Sequence, residues 1–299
     1  MRNGVIWLFR ELVVNKLGKY ISDTIIIQLK FFREFGRLCN FDDPKTFNEK
    51  LQWLKLYNRK PEYTIMVDKY EVKKYVAELI GEQYIIPTIG VWDNPDDIEF
   101  NTLPEKFVLK CNHNSGLGMC ICKDKTNLNI NKVKDELRKG LKQNYFYTGR
   151  EWPYKNVKPR IIAEVYLEDY SKEDLNDYKF FCFDGVVKLV MITYGRGTSE
   201  GLHISYYDTD LNLLDMWHHK YPRYEGDVVK PKKYDELLRL ASILSKGIPH
   251  ARVDLYEVNG EIYFGEITFF NASGFGAFRP VEWDYKLGSW INLPNKKII

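Results

Sequence analysis

Two consecutive segments near the end of the chain place charged residues among side chains typical of buried strands. Side chains alternate between the two faces of a strand, so Arg252 and Asp254 should share one face, as should Glu266 and Thr268. An Asn-Gly pair at 259–260 separates the segments and is the strongest short-range signal for a β-hairpin. The sequence therefore predicts a hairpin on which two carboxylates and a guanidinium lie side by side.

This predicted group of charges has two interpretations. Neighbouring carboxylates repel each other and are costly to bury, whereas a divalent cation that prefers oxygen ligands would bind both, as magnesium does when it also binds nucleotide phosphates. The alternative is a network of ion pairs among arginine, aspartate and glutamate that binds no ligand. The spacing alone is compatible with both interpretations.

Composition limits the class of protein. A chain of 299 residues can form one large domain or two ordinary domains. Because 44 basic residues nearly balance 41 acidic ones, charge alone does not favour binding to nucleic acid. The five cysteines are scattered and lack the Cys-x-x-Cys spacing of a zinc site. The favoured interpretation is that they are small buried residues of a protein in a reducing cytosol.

The first 17 residues are apolar but are interrupted by Arg10, Glu11 and Lys16, so they fit neither a secretory signal nor a membrane span. A soluble cytoplasmic protein is expected. The apolar side chains at 7–12 have near-helical spacing, and the basic residue Arg10 lies between them. This pattern allows loose attachment to an anionic membrane surface. A surface helix that covers the core is the favoured interpretation.

The order of the predicted elements is that of an α+β protein. Helical patterns cover much of 5–60 and then 68–79, 131–141 and 233–245. Strand patterns cover 84–91, 106–111, 119–122, 160–166, 177–183, 185–193 and 202–207, before the two charged segments. A polar loop at 112–118 connects two of these strands and is expected to be a hairpin tip with exposed amides.

The two glycines of this loop, Gly116 and Gly118, allow its backbone to approach a ligand, and successive amides in such a turn can bind phosphate oxygens. The chain lacks both the P-loop pattern and the Gly-x-Gly-x-x-Gly pattern of dinucleotide-binding folds. Lys110, directly before the loop, and Lys69 could each neutralise phosphate, although ordinary surface positions would also explain them. Lys179 lies in an apolar, aromatic strand and is a third candidate, unless it faces solvent.

These parts, taken in order, resemble the ATP-grasp superfamily and, more closely, the TupA-like ATP-grasp family linked to bacterial surface-polysaccharide biosynthesis. The resemblance covers about 68–287 and depends on the joint order of several short motifs. They are Asp68-Lys69-Tyr70, Lys106 to Gly116, Gly149-Arg150-Glu151-Trp152 with Tyr154, Asp177 to Phe183, Arg252-Val253-Asp254, Gly265 to Thr268, Ser273-Gly274-Phe275 and Glu282 to Tyr285.

The resemblance implies an ATP-grasp fold, in which two α+β subdomains enclose ATP. The corresponding division is a helical N-terminal segment at 1–65, a subdomain with the glycine loop at 66–160 and a subdomain with the metal site at 161–299. It also implies an ATP- and Mg²⁺-dependent ligase that joins a carboxylate to an amine through an acyl-phosphate. The implied substrate is a sugar acid, an amino acid or a glycan precursor for a capsule-like polysaccharide, with peripheral association with the assembly machinery at the inner face of the membrane.

The resemblance further implies roles for individual residues. The nucleotide would be bound by Lys69, Lys110, His113, Asn114, Ser115, Gly116, Gly118, Glu164, Val165, Tyr166 and Asp177, with 112–118 as a lid over the phosphates, 164–166 near adenine and Asp177 near ribose. Magnesium would be bound by Asp254, Glu266 and Thr268. Arg252, Lys110 and Lys179 would act in catalysis, with Arg252 at the acyl-phosphate.

Two departures from the family pattern bear on the site. The position that many ATP-grasp enzymes fill with asparagine is Thr268 here, so either Asn271 folds back or water completes the metal coordination. The helical N-terminal segment replaces the usual α/β domain, so the resemblance does not assign the residues of the acceptor site. The group at 150–152, Arg-Glu-Trp, has no role to carry over: its arginine could bind a carboxylate and its tryptophan could stack on a sugar, or the group could be a packed structural corner.

Two other functions are compatible with the sequence. A glycosyltransferase could bind a metal-bound diphosphate through paired acidic residues, and a non-catalytic nucleotide-binding scaffold could serve in an assembly machine. The glycine loop favours the ligase over the glycosyltransferase. The combination of Lys110, Asp254 and Glu266 favours the ligase over the scaffold.

Overall fold

The structure is a computed structural model, and it describes residues 20–170, 177–195, 201–218 and 220–296. The apolar stretch at 7–12, for which membrane-surface attachment was considered, lies outside the described residues. Among the helices of the described ranges, none combines the length and the apolar character that a bilayer crossing requires.

The helices of the described part begin and end at recognisable signals. The helix at 47–57 begins with a capping box, in which the side chains of Thr46 and Glu49 accept from each other's backbone amides. The helix at 23–35 ends at Gly36, whose φ of 72° is left-handed. The helices are α1 Asp23–Phe35, α2 Phe47–Tyr57, α3 Pro61–Val67, α4 Glu71–Ile80, α5 Ile130–Lys142, α6 Phe146–Gly149, α7 Tyr234–Leu244 and α8 Glu282–Trp290.

The strands form two larger antiparallel sheets and one small pair. The strands are β1 Thr88–Trp92, β2 Phe107–Cys111, β3 Met119–Cys122, β4 Ile161–Val165, β5 Asp177–Phe183, β6 Val186–Tyr194, β7 His203–Tyr207, β8 Trp217–His218, β9 Ala251–Val258, β10 Glu261–Thr268 and β11 Phe278–Arg279. The first sheet has the order β1-β4-β2-β3, the second has the order β10-β9-β5-β6-β7, and β8 pairs with β11. This mixture of helices and antiparallel sheets confirms the predicted α+β class.

Each sheet has its own hydrophobic core. In the second sheet, Phe180 and Leu255 are fully buried and cluster with Leu240 of α7. In the first sheet, Phe107 clusters with Leu137 of α5. Burying a large apolar side chain contributes about 1.5–3 kcal/mol, so each sheet is stabilised largely by its own helices.

The predicted charged hairpin is confirmed. Asn259 and Gly260 have φ values of 53° and 82°, the left-handed pair that a two-residue turn of this type requires. The register places Glu266 opposite Asp254, with an irregularity between Phe264 and Glu266. Such a bulge re-aims the side chains that follow it, and here it keeps the polar pairs together.

The bulge depends on Gly265. A Cβ atom at this position would lie 2.8 Å from the Tyr256 ring and 3.0 Å from the Asp254 carbonyl oxygen. A side chain would therefore collide with the neighbouring strand, so the glycine is what permits the strands to approach each other here.

Three element boundaries differ from the sequence-based expectation. The helix predicted from 68 begins at Glu71, because the Asp68 carboxylate accepts hydrogen bonds from the amides of Tyr70 and Glu71 and shapes a bend there. The strand predicted from 84 begins at Thr88, after a 3₁₀ turn at 82–84 and Pro87. The strand expected to open the second subdomain, 161–165, instead pairs with β1 and β2, so the change of sheet follows β4.

A prediction about stability arises at the contact between α2 and α8. Asp284 is 5% exposed and accepts two hydrogen bonds from Asn48, from the backbone amide at 3.0 Å and from Nδ2 at 2.9 Å. Burial raises the pKa of Asp284 from 3.8 to about 6, although these hydrogen bonds oppose the shift. The contribution of Asp284 to stability is therefore complete below pH 4 and is lost as the pH rises through 6, where a buried carboxyl must ionise.

Asp284→Asn should consequently raise the free energy of unfolding at pH 7.5 by about 1–2 kcal/mol, because the amide retains an acceptor without the charge. At pH 4 the variant and the wild type should be equally stable. Urea denaturation at the two pH values checks this, and a stability gain that is the same at both would contradict the assignment.

Candidate active site

Arg252 is the centre of the charged group on the hairpin. Its guanidinium donates to both oxygens of Asp254 at 2.7 Å, to Glu266 Oε1 at 3.0 Å and to Thr268 Oγ1 at 3.1 Å. It also donates to Asn271 Oδ1 at 2.9 Å. The predicted convergence of two carboxylates and an arginine on one face is therefore present, and Asn271 folds back to join it.

Lys179 adds a second cation to this group. It lies opposite Asp254 in the register between β5 and β9, is 5% exposed, and forms ion pairs with Asp254 and Asp177. The interpretation that Lys179 faces solvent is wrong. Asp177, expected near ribose, is itself 4% exposed and its carboxylate contacts Lys179, so it belongs to the same buried network.

Lys69 connects the charged hairpin to the glycine loop. Its Nζ lies 3.9 Å from Glu266 Oε2 and donates to the Asn114 carbonyl oxygen at 2.7 Å. Burial lowers the pKa of Lys69, and the charge of Glu266 opposes that shift. Burial alone would raise the pKa of Glu266, but Lys69 and Arg252, with smaller contributions from other lysines, lower it to about 2. Glu266 is therefore ionised throughout the physiological pH range.

The first half of the glycine loop is buried, so the prediction of an exposed hairpin tip is wrong for 112–114. Asn112 donates to the Asp68 carboxylate at 2.8 Å and to the Lys158 carbonyl oxygen at 2.9 Å. The ring of His113 lies between Asn112 Oδ1 at 3.1 Å and the Gln143 carbonyl oxygen at 3.0 Å. Buried polar side chains need hydrogen-bond partners of this kind. Most of these partners come from distant parts of the chain, so they could not be predicted from the sequence of the loop.

The side chain of Asn114 also points inward and donates to the Gly140 carbonyl oxygen at 2.7 Å. The exposed part of the loop is 115–117. The two glycines differ. A Cβ atom at Gly118 would lie 2.6 Å from Cys111 Sγ, whereas one at Gly116, whose φ is 83°, would meet no atom of the other described residues within 4 Å. Gly118 is thus required by packing, and Ser115 and Gly116 are the loop residues with room for a ligand.

Glu164 joins two lysines at the other side of the loop. Its carboxylate lies 2.5 Å from Lys110 Nζ and 2.7 Å from Lys73 Nζ. Burial raises the pKa of Glu164, and the two lysines more than compensate, so the carboxyl stays ionised. Glu164, which is expected near adenine, therefore forms ion pairs with Lys110 and Lys73. Of the two residues that follow it, Val165 is 40% exposed and Tyr166 is half-buried.

The comparisons with known proteins identify the family. Residues 49–292 match the family model described as TupA-like ATPgrasp. The chain belongs to the TupA-like ATP-grasp family. This confirms the resemblance seen in the sequence and, with it, the ATP-grasp fold. A search of curated proteins finds no match.

Solved structures similar to this TupA-like protein include two D-alanine–D-alanine ligases and PsnB, an ATP-grasp ligase. The ligase from Bacillus anthracis has 19% identity, covers 69% of this chain and 57% of its own, and has a TM-score of 0.39. The ligase from Helicobacter pylori has 14% identity, coverages of 82% and 69%, and a TM-score of 0.44. PsnB complexed with minimal precursor, Mg and ADP has 10% identity, coverages of 74% and 57%, and a TM-score of 0.40. The chain thus spans 57% of the length of the first of these proteins.

The donor set of the TupA-like site suits a hard cation that keeps part of its water shell. Among the described residues, no group of three or more His, Cys, Asp and Glu side chains is arranged to bind a metal ion. Asp254 and Glu266 supply two carboxylates, and magnesium is commonly bound by one or two carboxylates together with phosphate oxygens and water. The Thr268 hydroxyl lies 3.3 Å from Glu266 Oε1 and accepts from Arg252, so its contacts here are to the carboxylate and the guanidinium.

Lys73 contacts Glu164 but was not predicted from the sequence to belong to the site, although it follows Lys69 by four residues. In the group at 150–152, Arg150 and Glu151 have different surroundings. Arg150 is 2% exposed, lies 3.3 Å from Asp23 and packs over the rings of Phe146 and Tyr147, so it forms the structural corner. Glu151 accepts a hydrogen bond from the Ser273 hydroxyl instead.

Proposed function

We propose that this protein is an ATP- and Mg²⁺-dependent ligase that joins a carboxylate to an amine through an acyl-phosphate. The observation that carries the proposal is the convergence of Lys69, Arg252 and the ionised Glu266 beside the glycine loop. Phosphoryl transfer requires positioning and neutralisation of charge, and this arrangement of fixed charges supplies both. Membership in the ATP-grasp family supports the same reaction.

The residues of the chain have distinct parts in this proposal. Lys69 and Lys110 neutralise phosphate oxygens, and Glu164 holds Lys110 close to Lys73, which places two positive charges at the start of the glycine loop. Arg252 stabilises the negative charge that develops on the acyl-phosphate. Bound magnesium would screen the phosphates, with Asp254 and Glu266 as its protein ligands.

The proposed substrate class follows from the family. A sugar acid or amino acid destined for a capsule or teichuronopeptide-like surface polysaccharide would supply the carboxylate, and the enzyme would work in the cytoplasm, at the inner face of the membrane. Family membership favours the ligase over a glycosyltransferase. The intact group of Lys69, Arg252 and Glu266 favours an enzyme over a nucleotide-binding scaffold.

Trapping of the acyl-phosphate tests the proposal. With Mg-ATP, hydroxylamine and a panel of uronic and amino acids, the protein should form a hydroxamate and release ADP in equal amounts. Hydroxylamine replaces the natural amine, so the amine need not be known. Omission of Mg²⁺ should abolish both products. Sugar transfer from a nucleotide-sugar, with no ATP dependence and no hydroxamate across the panel, would overturn the ligase.

A further inference from the structure

Glu151 is a buried carboxylate that the proposed mechanism has not used. It is 4% exposed. Within the described part of the chain it accepts a side-chain hydrogen bond from the Ser273 hydroxyl and forms no ion pair. A buried carboxylate usually has a cation or several donors, because its desolvation is costly. Glu151 has one direct neutral donor, and the charge of Lys55 acts on it without a direct ion pair, so the carboxylate still has room for a further donor.

The backbone around Glu151 is fixed by Lys55, which connects two turns. The Lys55 ammonium donates to the carbonyl oxygens of Gly149 at 2.6 Å and of Ser273 at 2.7 Å. Gly149 allows this approach, since a Cβ atom there would lie 2.5 Å from Ser273 Oγ and 3.1 Å from Glu151 Oε1. The carboxylate is thus held on a rigid support rather than on a mobile loop.

Glu151 lies between the glycine loop and the charged hairpin. The Ser115 hydroxyl, in the exposed part of the loop, and the Ser273 hydroxyl both lower the pKa of the Tyr145 phenol, so the three groups lie close together. Asn271, in the same turn as Ser273, accepts from Arg252 at 2.9 Å. Ser273 and its turn therefore link Glu151 to both sides of the proposed phosphoryl-transfer site.

The electrostatics agree with this placement. Burial raises the pKa of Glu151, Lys55 opposes the shift, and the charge of Glu266 adds to it. The other titratable groups around Glu151 are Arg252, Tyr145 and Tyr154, and burial raises the pKa of Tyr145 to about 12. The tyrosines are thus neutral donors and acceptors at pH 7. Glu151 is the carboxylate there whose pKa is raised, and it lies beside Lys55, whose pKa burial lowers to about 7.

We propose that Glu151 binds the ammonium group of the amine substrate and accepts one of its protons. An ammonium is a set of donors only, and it matches a carboxylate flanked by the hydroxyls of Ser273 and Tyr145. Lys55 is unsuited to this task because its ammonium already donates to three acceptors, Gln52 Oε1 at 2.9 Å and the two carbonyl oxygens. This inference rests on the proposed ligase activity.

The ammonium gives one proton to the Glu151 carboxylate and becomes a neutral amine. The nitrogen then forms a bond to the carbonyl carbon of the acyl-phosphate, the bond between that carbon and the phosphate oxygen breaks, and the second proton leaves with phosphate. Glu151 returns its proton to solvent after the amide departs. No oxidant or further reactant is required.

Hydroxylamine and an alkyl amine distinguish this role from a general defect. Hydroxylamine is neutral at pH 7 and needs no base, whereas glycinamide is largely protonated. Glu151→Gln should keep hydroxamate formation but lower the rate of amide formation with glycinamide by about 10²–10⁴-fold, as expected for loss of a general base. Raising the pH should partly restore the variant, because free glycinamide becomes available. Glu49→Gln, in the capping box of α2, is the matched buried control and should affect neither rate.

Equal loss of both rates in Glu151→Gln, or no loss of either, would overturn the role of Glu151 and leave the ligase standing. A second measurement needs no turnover. In protein labelled with ¹³C at the glutamate carboxyl carbon, the resonance that is missing in Glu151→Gln should shift on addition of glycinamide hydrochloride with Mg-ADP. It should not shift with sodium chloride at the same ionic strength. Absence of the glycinamide shift would overturn the role of Glu151, whether or not the wild-type protein forms a hydroxamate. Absence of the hydroxamate in wild-type protein would overturn the ligase activity instead.

Discussion

Replacing Glu266 by glutamine should remove nearly all ATP-dependent turnover while leaving the fold intact. The Glu266 side chain is 38% exposed, and its ion-pair contacts are Arg252 at 3.0 Å and Lys69 at 3.9 Å. The amide preserves the shape but removes the charge that faces the proposed metal. Loss of this ligand should cost several kcal/mol of transition-state stabilisation, or roughly 10²–10³-fold or more in rate. The hydroxamate assay measures the rate, and calorimetry with Mg-ATP measures binding.

Two further variants sharpen this test. Glu261→Gln, at the exposed far end of the same strand, removes a carboxylate 3.1 Å from Lys233 and should leave turnover unchanged. Asp254→Asn should lose turnover and also lower the free energy of unfolding by about 3–5 kcal/mol, because Asp254 is 1% exposed and is the partner of the buried Lys179 and Arg252. Near-normal turnover in Glu266→Gln would exclude the magnesium-ligand assignment.

The charged hairpin could be predicted because its information is local. Alternation of side chains along a strand placed Arg252 with Asp254, and the Asn-Gly turn at 259–260 set which residues of the two strands face each other. The bulge at Gly265 was not foreseen, but it changes the register by one residue without separating the polar pairs.

The surroundings of the hairpin could not be predicted because they depend on contacts between distant segments. Lys179 contacts Asp254 because β5 pairs with β9, and the sequence of neither strand indicates which strand it pairs with. Glu164 contacts Lys110 because β4 pairs with β2. This pairing also places 161–165 in the first sheet, so the second sheet begins with β5. Periodicity indicates that a strand exists, but the pairing of strands is decided by the whole chain.

The role of the helical N-terminal segment illustrates the same limit. The sequence predicts it as helical and without chemical signals, and its described part contains the helices at 23–35, 47–57 and 61–67. The structure adds that Lys55 of α2 reaches the turns at 149–151 and 271–274, more than ninety residues away in sequence. A lysine inside an amphipathic helix is usually solvated, so the sequence gives no reason to expect this one to be 1% exposed.

Lys55→Met should therefore be among the most destabilising single substitutions in the chain. The ammonium donates to three acceptors, Gln52 Oε1 and the carbonyl oxygens of Gly149 and Ser273, and lies 4.6 Å from the centre of the Phe275 ring. Methionine fills a similar volume but satisfies none of these acceptors, and each buried acceptor left unpaired costs about 1–3 kcal/mol. The free energy of unfolding should fall by about 3–5 kcal/mol in urea denaturation.

A variant on the same helix serves as the control for this loss. Lys50 donates to a single acceptor, the carbonyl oxygen of Ile291 at 2.8 Å, so Lys50→Met should cost about 1 kcal/mol. Both variants replace a lysine of α2 by methionine. Their difference therefore measures the buried environment of Lys55, whose pKa burial lowers to about 7. Because those contacts also support Glu151, Lys55→Met protein that remains folded at low temperature should lose amide formation with glycinamide more than hydroxamate formation. Equal stability of the two variants would mean that Lys55 does not connect the two turns.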